Sequence, residues 1–290
     1  MNLQELQFKA NDIRQDIIAM LTEAGSGHSA GPLDLADIFT ALYFSVMKHD
    51  PEHPTWTGRD RLVLSCGHTC PVLYATMAEA GYFPKEELKT LRKFGSRLQG
   101  HPHNLALPGI ETTSGPLAQG ASQAVGMALA FRMDHLKNRV YLVMSDGEQQ
   151  EGQIWEAVML AGKEKLHNLT AIIDRNNIQI DGFTENVMPL EGLRAKYEAF
   201  NWHVLEVDGH NITEIINAYR EAEAIFEKPT VIIAHTIPGK GVDYMEGKFE
   251  WHGNPPGIAD VAGAPPKNEQ ANEALKELRT LRGLIKSEHE

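Results

Sequence analysis

"RVYLVMSDGEQQEGQIWEAVMLAGKEKLHNLTAIIDRNN" (residues 139–177) reads as strand, helix and strand in direct succession. RVYLVMS and LTAIIDR are almost wholly apolar runs, the pattern of strands buried on both faces. The helical stretch between them, QIWEAVMLAGKEKL, is long enough for a parallel crossover. The first run ends in Asp146-Gly147 and the second in Asn176-Asn177. Taken singly, each pair is a turn signal, and further Asp-Gly pairs stand at 181–182 and 208–209. Asp146 differs in ending a strand and opening a helix, with Glu151-Gly152 next. Ligands of parallel sheets bind outside the carboxyl ends of the strands. There a carboxylate and an amide oxygen from neighbouring strands can converge on one hard cation. Magnesium takes a few such protein oxygens and completes its shell with phosphate and water. Turn and ligand readings both stand on these residues alone.

The same alternation runs outward. Residues 3–22, 33–47 and 69–80 have helical apolar spacing, as does the Gly/Ala-rich stretch 115–137; RLVLS (61–65) reads as a strand. Downstream, EGLRAKYEAFN, WHVLEV, ITEIINAYREAEAIF and PTVIIAHT read as helix, strand, helix and strand. The expected fold is α/β, a parallel sheet with helices on both faces. Ser65–His68, Asp146–Glu151, Asn176–Ile178 and His235–Gly241 then share one edge. One domain over 1–290 is expected, with a Gly/Pro-rich loop at about 238–266 and a charged C-terminal helix.

Net charge is -12, which argues against a nucleic-acid-binding role. A local pocket of backbone N–H groups, histidines and a metal can still hold phosphate. No run approaches the ~20 apolar residues of a membrane helix, and the start has no signal-peptide form. A cytoplasmic protein without membrane contact is expected. Cys66 and Cys70 read as free thiols, since further zinc-type ligands are absent nearby.

Asp-Gly, then Glu-Gly, then Asn about thirty residues after the Asp resembles the thiamine diphosphate signature. SGHSAGPLDLADI (26–38), RDRLVLSCGH (59–68), GHPHNLALPGIETTSGPLAQG (100–120), DRNNIQIDG (174–182) and WHG (251–253) resemble transketolase motifs in order, over roughly residues 10–255. The resemblance implies that Asp146, Asn176 and the Ile178 carbonyl ligate magnesium, and that Gly147 contacts the cofactor's diphosphate. His68 and His252 lie near that diphosphate, while Gly115 and Leu117 line the cofactor crevice. His28, His101 and His252 reach substrate oxygens, as imidazoles suited to steady changing charge. Glu151 belongs to a carboxylate network near the subunit interface. Ser145 replaces the usual Gly before Asp146, and Pro238, Lys240 and His103 also depart from the family pattern, which leaves the sugar open. His49, His53, His135, His167 and His289 have no motif context.

The family enzyme is about twice as long, and this chain resembles its diphosphate domain only; the pyrimidine and C-terminal domains have no counterpart here. The terminal charged helix suits a natural end, so the expectation is one subunit of a two-chain transketolase. Its partner would carry the pyrimidine domain, in a heterotetramer of two plus two. The implied reaction moves a two-carbon ketol unit from a ketose or its phosphate to an aldose, with thiamine diphosphate and magnesium. The setting is sugar metabolism, either the pentose phosphate route or a specialised one. Two rivals are a subunit of another thiamine diphosphate enzyme (deoxyxylulose phosphate synthase-like or a 2-oxo acid dehydrogenase component) and a non-catalytic regulatory subunit.

Overall fold

A computed structural model describes residues 1–283. The strands are β1 (Arg61–Leu64), β2 (Val140–Ser145), β3 (Leu169–Arg175), the short pair β4 (Ile178–Gln179) and β5 (Gly182–Phe183), β6 (His203–Asp208) and β7 (Thr230–His235). Five of them form one parallel sheet in the order β1-β2-β3-β7-β6. β2 and β3 are buried along their whole length. β6, at one edge, alternates buried residues with His203, Leu205, Glu206 and Asp208, which reach solvent. Charged side chains on an edge strand discourage pairing with another chain.

Among the described residues, ten helices surround the sheet: α1 (Leu3–Ala24), α2 (Ala30–Asp34), α3 (Ala36–Ala41), α4 (Cys70–Glu79), α5 (Gln119–Met133), α6 (Gly152–Glu164), α7 (Thr184–Val187), α8 (Leu193–Ala199), α9 (Ile212–Ala224) and α10 (Lys267–Leu281). Successive strand residues point to opposite faces. Tyr141 and Val143 of β2 join a core with α1, α3, α4, α9 and α10, whereas Val140, Leu142 and Met144 join a second core with α5, α6 and α8. Helices on both faces of a parallel sheet are the expected architecture. α1 begins with a capping box between Asn2 and Glu5 and ends at Gly25 in the left-handed region, φ 62°.

Two local expectations change. The helix read at 33–47 breaks into α2, α3 and a π turn (Leu42–Val46). The Leu33 carbonyl accepts the Arg14 Nε–H at 2.9 Å, which diverts it from the helical ladder. The β4–β5 hairpin has no counterpart among the expected elements, because two-residue strands carry no readable period; Ile180 and Asp181 form its turn, and Gly182 already pairs with Gln179. The 238–266 loop is anchored by Trp251, fully buried, whose ring lies 5.2 Å from Tyr244 and whose Nε1–H donates to the Tyr244 carbonyl. The terminal helix is described to Leu281, and residues 284–290, His289 among them, lie outside the described residues. Among the described residues, no helix is long and apolar enough to cross a membrane.

α6 links β2 to β3 and leans on the turn before β6. A Cβ on Gly162 would come within 1.9 Å of the Phe200 carbonyl oxygen, while one on Gly126 of α5 would meet nothing within 4 Å. Gly162→Ala should therefore lower stability by about 1–3 kcal/mol or more. Gly126→Ala should raise it by about 0.5–1 kcal/mol. Paired urea titrations decide both signs.

Candidate active site

β2 and β3 pair through Ser145 and Asp174, so the residues that follow them emerge side by side. Asp146 is fully buried. Its Oδ1 accepts the Gly147 N–H at 2.7 Å, and its Oδ2 accepts the Asn177 N–H at 2.7 Å and Arg175 Nη1 at 2.9 Å. Burial lifts its pKa to about 6 against the pull of the Arg175 guanidinium. Arg175 is itself buried, and also holds Glu185 and Glu191.

Asn176 is oriented from below. Its Nδ2 donates to Asp34 Oδ2 and to Asp174 Oδ2, both at 3.0 Å. Among the described residues its Oδ1 accepts only the Ile178 N–H, at 3.1 Å. Asp34 and Asp174 lie against each other, wholly buried, and burial raises both pKa values; Thr236 donates its hydroxyl to Asp174. A carboxylate has about four lone-pair positions and an amide oxygen two. Asp146 uses three and Asn176 one, so both retain acceptor capacity for a cation.

Three histidines meet nearby. The His28 and His68 ring centroids lie 4.8 Å apart, His68 and His252 5.2 Å, and His28 and His252 5.5 Å. The loops that carry them are tied together: Ser29 Oγ bonds the carbonyls of Trp251 at 3.1 Å and Asn254 at 2.6 Å. Buried Trp251 thereby fixes His252. His68 sits on the 3-10 turn after β1. A Cβ on its neighbour Gly67 would fall 2.3 Å from Ser114 Oγ, so only glycine lets the 114–115 loop approach this closely. Burial drives the imidazole pKa down to about 3 at His28 and about 4 at His252, and well below the usual range at His68. The Nδ1 atoms of His28 and His252 are buried without a partner among the described residues. Burying an unmet polar atom costs free energy, so these two point to a polar ligand. His101 is exposed, yet close enough for its charge to depress His28 and His68. Its ring lies 3.9 Å from where a Gly115 Cβ would stand. Leu117 is half-buried beside this loop.

The structure thus gathers Asp146, Gly147, Asn176 and Ile178 at one point and His28, His68 and His252 at another, with His101, Gly115 and Leu117 along the rim. The β4–β5 hairpin bridges the two groups. Gln179 lies under Gly147, and Ile180 reaches the Gly253 position. Glu151 is exposed and lies outside both groups. Ser145 is accommodated without strain, since its hydroxyl accepts the Glu148 N–H. Lys240 pairs with Glu246 at 3.3 Å, Pro238 is buried in the turn after β7, and His103 Nδ1 accepts the Leu105 N–H. Cys66 and Cys70 are free and buried.

Sequence reasoning missed four residues. Asp34, Asp174 and Arg175 hold the ligand pair. Glu148, fully buried, accepts from the Ser65 hydroxyl and from the Ala118 and Ser145 N–H groups, which locks the ends of β1 and β2 to the start of α5. An acid inside an apolar run, as in LDLADIF and LTAIIDR, was the available signal.

The buried imidazoles give a signed prediction. Their folded pKa values lie below the ordinary 6.5, so the unfolded chain takes up protons first as pH falls. The stability they allow is complete above about pH 6.5 and is lost between there and about pH 3. Raised carboxyls such as Asp146 act in the opposite direction. Comparing the parent with His28→Asn isolates the imidazole: the parent should lose stability relative to the variant from pH 7 to 4.5 in paired urea titrations. Parallel curves would contradict a neutral buried His28.

The family "transketolase, thiamine diphosphate binding domain" matches residues 6–270. A 6-deoxy-6-sulfo-D-fructose transketolase subunit of Clostridium sp. (strain MSTE9) is 48% identical over 86% of this chain and 90% of its own length. An apulose-4-phosphate transketolase subunit from Phocaeicola vulgatus is 42% identical over 96% of this chain and 95% of its own. Transketolase from Campylobacter jejuni superposes with a TM-score of 0.84 at 34% identity, covering 98% of this chain and 48% of that one. The chain thus spans less than half of that solved transketolase, but nearly the full length of the two subunits. The motif-based resemblance and the parallel α/β expectation are both borne out: this chain belongs to the transketolase family, matching its thiamine diphosphate binding domain.

Proposed function

We propose that the chain is the diphosphate-binding subunit of a two-chain transketolase, active only with a partner that brings the pyrimidine domain, in a heterotetramer of two plus two. The domain reading, 1–290 as one diphosphate domain, is part of this proposal. One observation carries it: a buried cluster of neutral imidazoles with two unmet Nδ1 atoms lies beside an oriented carboxylate–amide pair at the carboxyl edge of a parallel sheet. The residues fit the implied groups. Asp146, the Asn176 Oδ1 and the Ile178 carbonyl would hold magnesium, and Gly147 would face the diphosphate. His68 and His252 would stand near it, with Gly115 and Leu117 along the cofactor crevice. When bound, thiamine diphosphate supplies the electron sink for carbon–carbon cleavage.

The chain's own part is orientation and proton handling. His28 and His252, uncharged at neutral pH, can each accept or donate a proton at a substrate hydroxyl. His101 would contact substrate at the rim, and Glu151 would face the partner's half. The relatives' names include a sulfonated sugar and a sugar phosphate, which supports a substrate with an anionic end group. Exposed Ile180, Phe183 and Met188 beside the hairpin, and Met159 and Leu160 on α6, support a partner surface. Two buried free thiols suit a reducing compartment such as the cytoplasm.

Asp146→Ala should weaken magnesium-dependent thiamine diphosphate binding at least about tenfold by calorimetry on the assembled enzyme; unchanged affinity would refute the ligand assignment. The purified chain alone should transfer no ketol unit. Activity should appear on adding a partner with the pyrimidine domain, at the mass of two plus two by light scattering. Full activity of the single chain would overturn the two-chain reading.

A further inference from the structure

A second cavity lies at the other end of the same two strands. It has a volume of about 540 Å³ and is lined by Arg132, His135, Leu136, Lys137, Arg139, His167, Asn168 and Phe226. Arg139 directly precedes β2, His167 and Asn168 directly precede β3, and Phe226 follows α9. A strand of six residues places it roughly 20 Å from Asp146. No acid is among its lining residues, on a chain whose net charge is -12.

The cations differ in how far they are committed. Arg132 is tied to Glu164. Among the described residues Arg139 has no carboxylate on its guanidinium: Nη2 reaches the His167 and Ala222 carbonyls and the Thr170 hydroxyl, and Nε is buried without a partner. The Lys137 and His135 side chains, both exposed, have no polar partner among the described residues. Asn168 is more than nine-tenths buried; its Nδ2 donates to the Ala128 carbonyl at 3.0 Å, while its Oδ1 is unmet. Phe226 is 73% exposed, and its ring lies 6.1 Å from that of His167. A buried polar atom without a partner asks for one, and an exposed phenyl ring beside an imidazole offers a stacking face.

We infer that this cavity is a binding site for a nucleoside 5'-monophosphate, separate from the cofactor site. Lys137, His135 and Arg139 take the phosphate, the exposed face of the Phe226 ring stacks on the base, and the Asn168 Oδ1 accepts an N–H or O–H of the ligand. The volume falls in the range of small-molecule sites, about 300–1,000 Å³. The cavity does not depend on the transketolase assignment.

The test is calorimetry on the full chain with adenosine 5'-monophosphate, adenosine and inorganic phosphate as separate probes. The monophosphate should bind saturably and more tightly than either fragment. Lys137→Glu should weaken it at least about tenfold. Phe226→Ala should weaken it about fivefold or more while leaving phosphate binding unchanged. Both side chains are largely free of polar contacts, so the fold should survive, as thermal melting would verify. Lys89→Glu, an exposed charge reversal outside the cavity, should have no effect. Overturning results are no saturable binding of the monophosphate, phosphate binding as tightly as the monophosphate, or equal losses in Lys137→Glu and Lys89→Glu. On the assembled enzyme, thiamine diphosphate with magnesium should bind the parent and Lys137→Glu alike, which separates this site's failure from that of the catalytic reading.

Discussion

The amide of Asn176 can face only one way. Two buried carboxyl groups, Asp34 and Asp174, both accept from its nitrogen, so its oxygen must turn toward the cleft. An asparagine at a strand end would otherwise rotate freely about its last torsion. The constraint reaches back through the fold. Asp34 closes α2, where Arg14 captures the neighbouring Leu33 carbonyl and α2 gives way to α3. The same Arg14 pairs with Asp37, which also accepts from His210, whose Nε2 accepts the Ile237 N–H after β7. One polar chain therefore joins α1, α3 and the loops that follow β6 and β7.

The histidine cluster rests on a different principle. Its rings are held by loops, and loops need anchors to place side chains closely. Here the anchors are a tryptophan driven into the core and a serine that bonds two carbonyls across 222 and 225 residues of sequence. Dry surroundings keep the rings uncharged, because an imidazolium would have to be desolvated. The carboxyl cluster is built on strands and the imidazole cluster on loops, so the first should be the more rigid of the two.

Most of the strand and helix order was legible in the sequence, because buried parallel strands and their crossover helices have distinct apolar periods. Asp146 and Asn176 stood out by position, each ending such a strand. Asp34, Glu148 and Arg175 did not. An acid inside an apolar run marks Asp34 as unusual, but its importance comes from what lies next to it in space, 142 residues away for the Asp34–Asn176 bond, and the local pattern does not name that partner. The break at Leu35 was hidden for the same reason, since its cause is a side chain on α1. The meeting of His28, His68 and His252 was suggested only by resemblance; their spacing along the chain says nothing about it.

Arg175 has a further consequence. Its guanidinium is already shared among three carboxylates, Asp146 inside the fold and Glu185 and Glu191 nearer the surface. A ligand that drew charge from Asp146 would change how tightly the same cation holds the other two. Events at the buried end of this network would therefore be felt at the segment that carries Glu185 and Glu191.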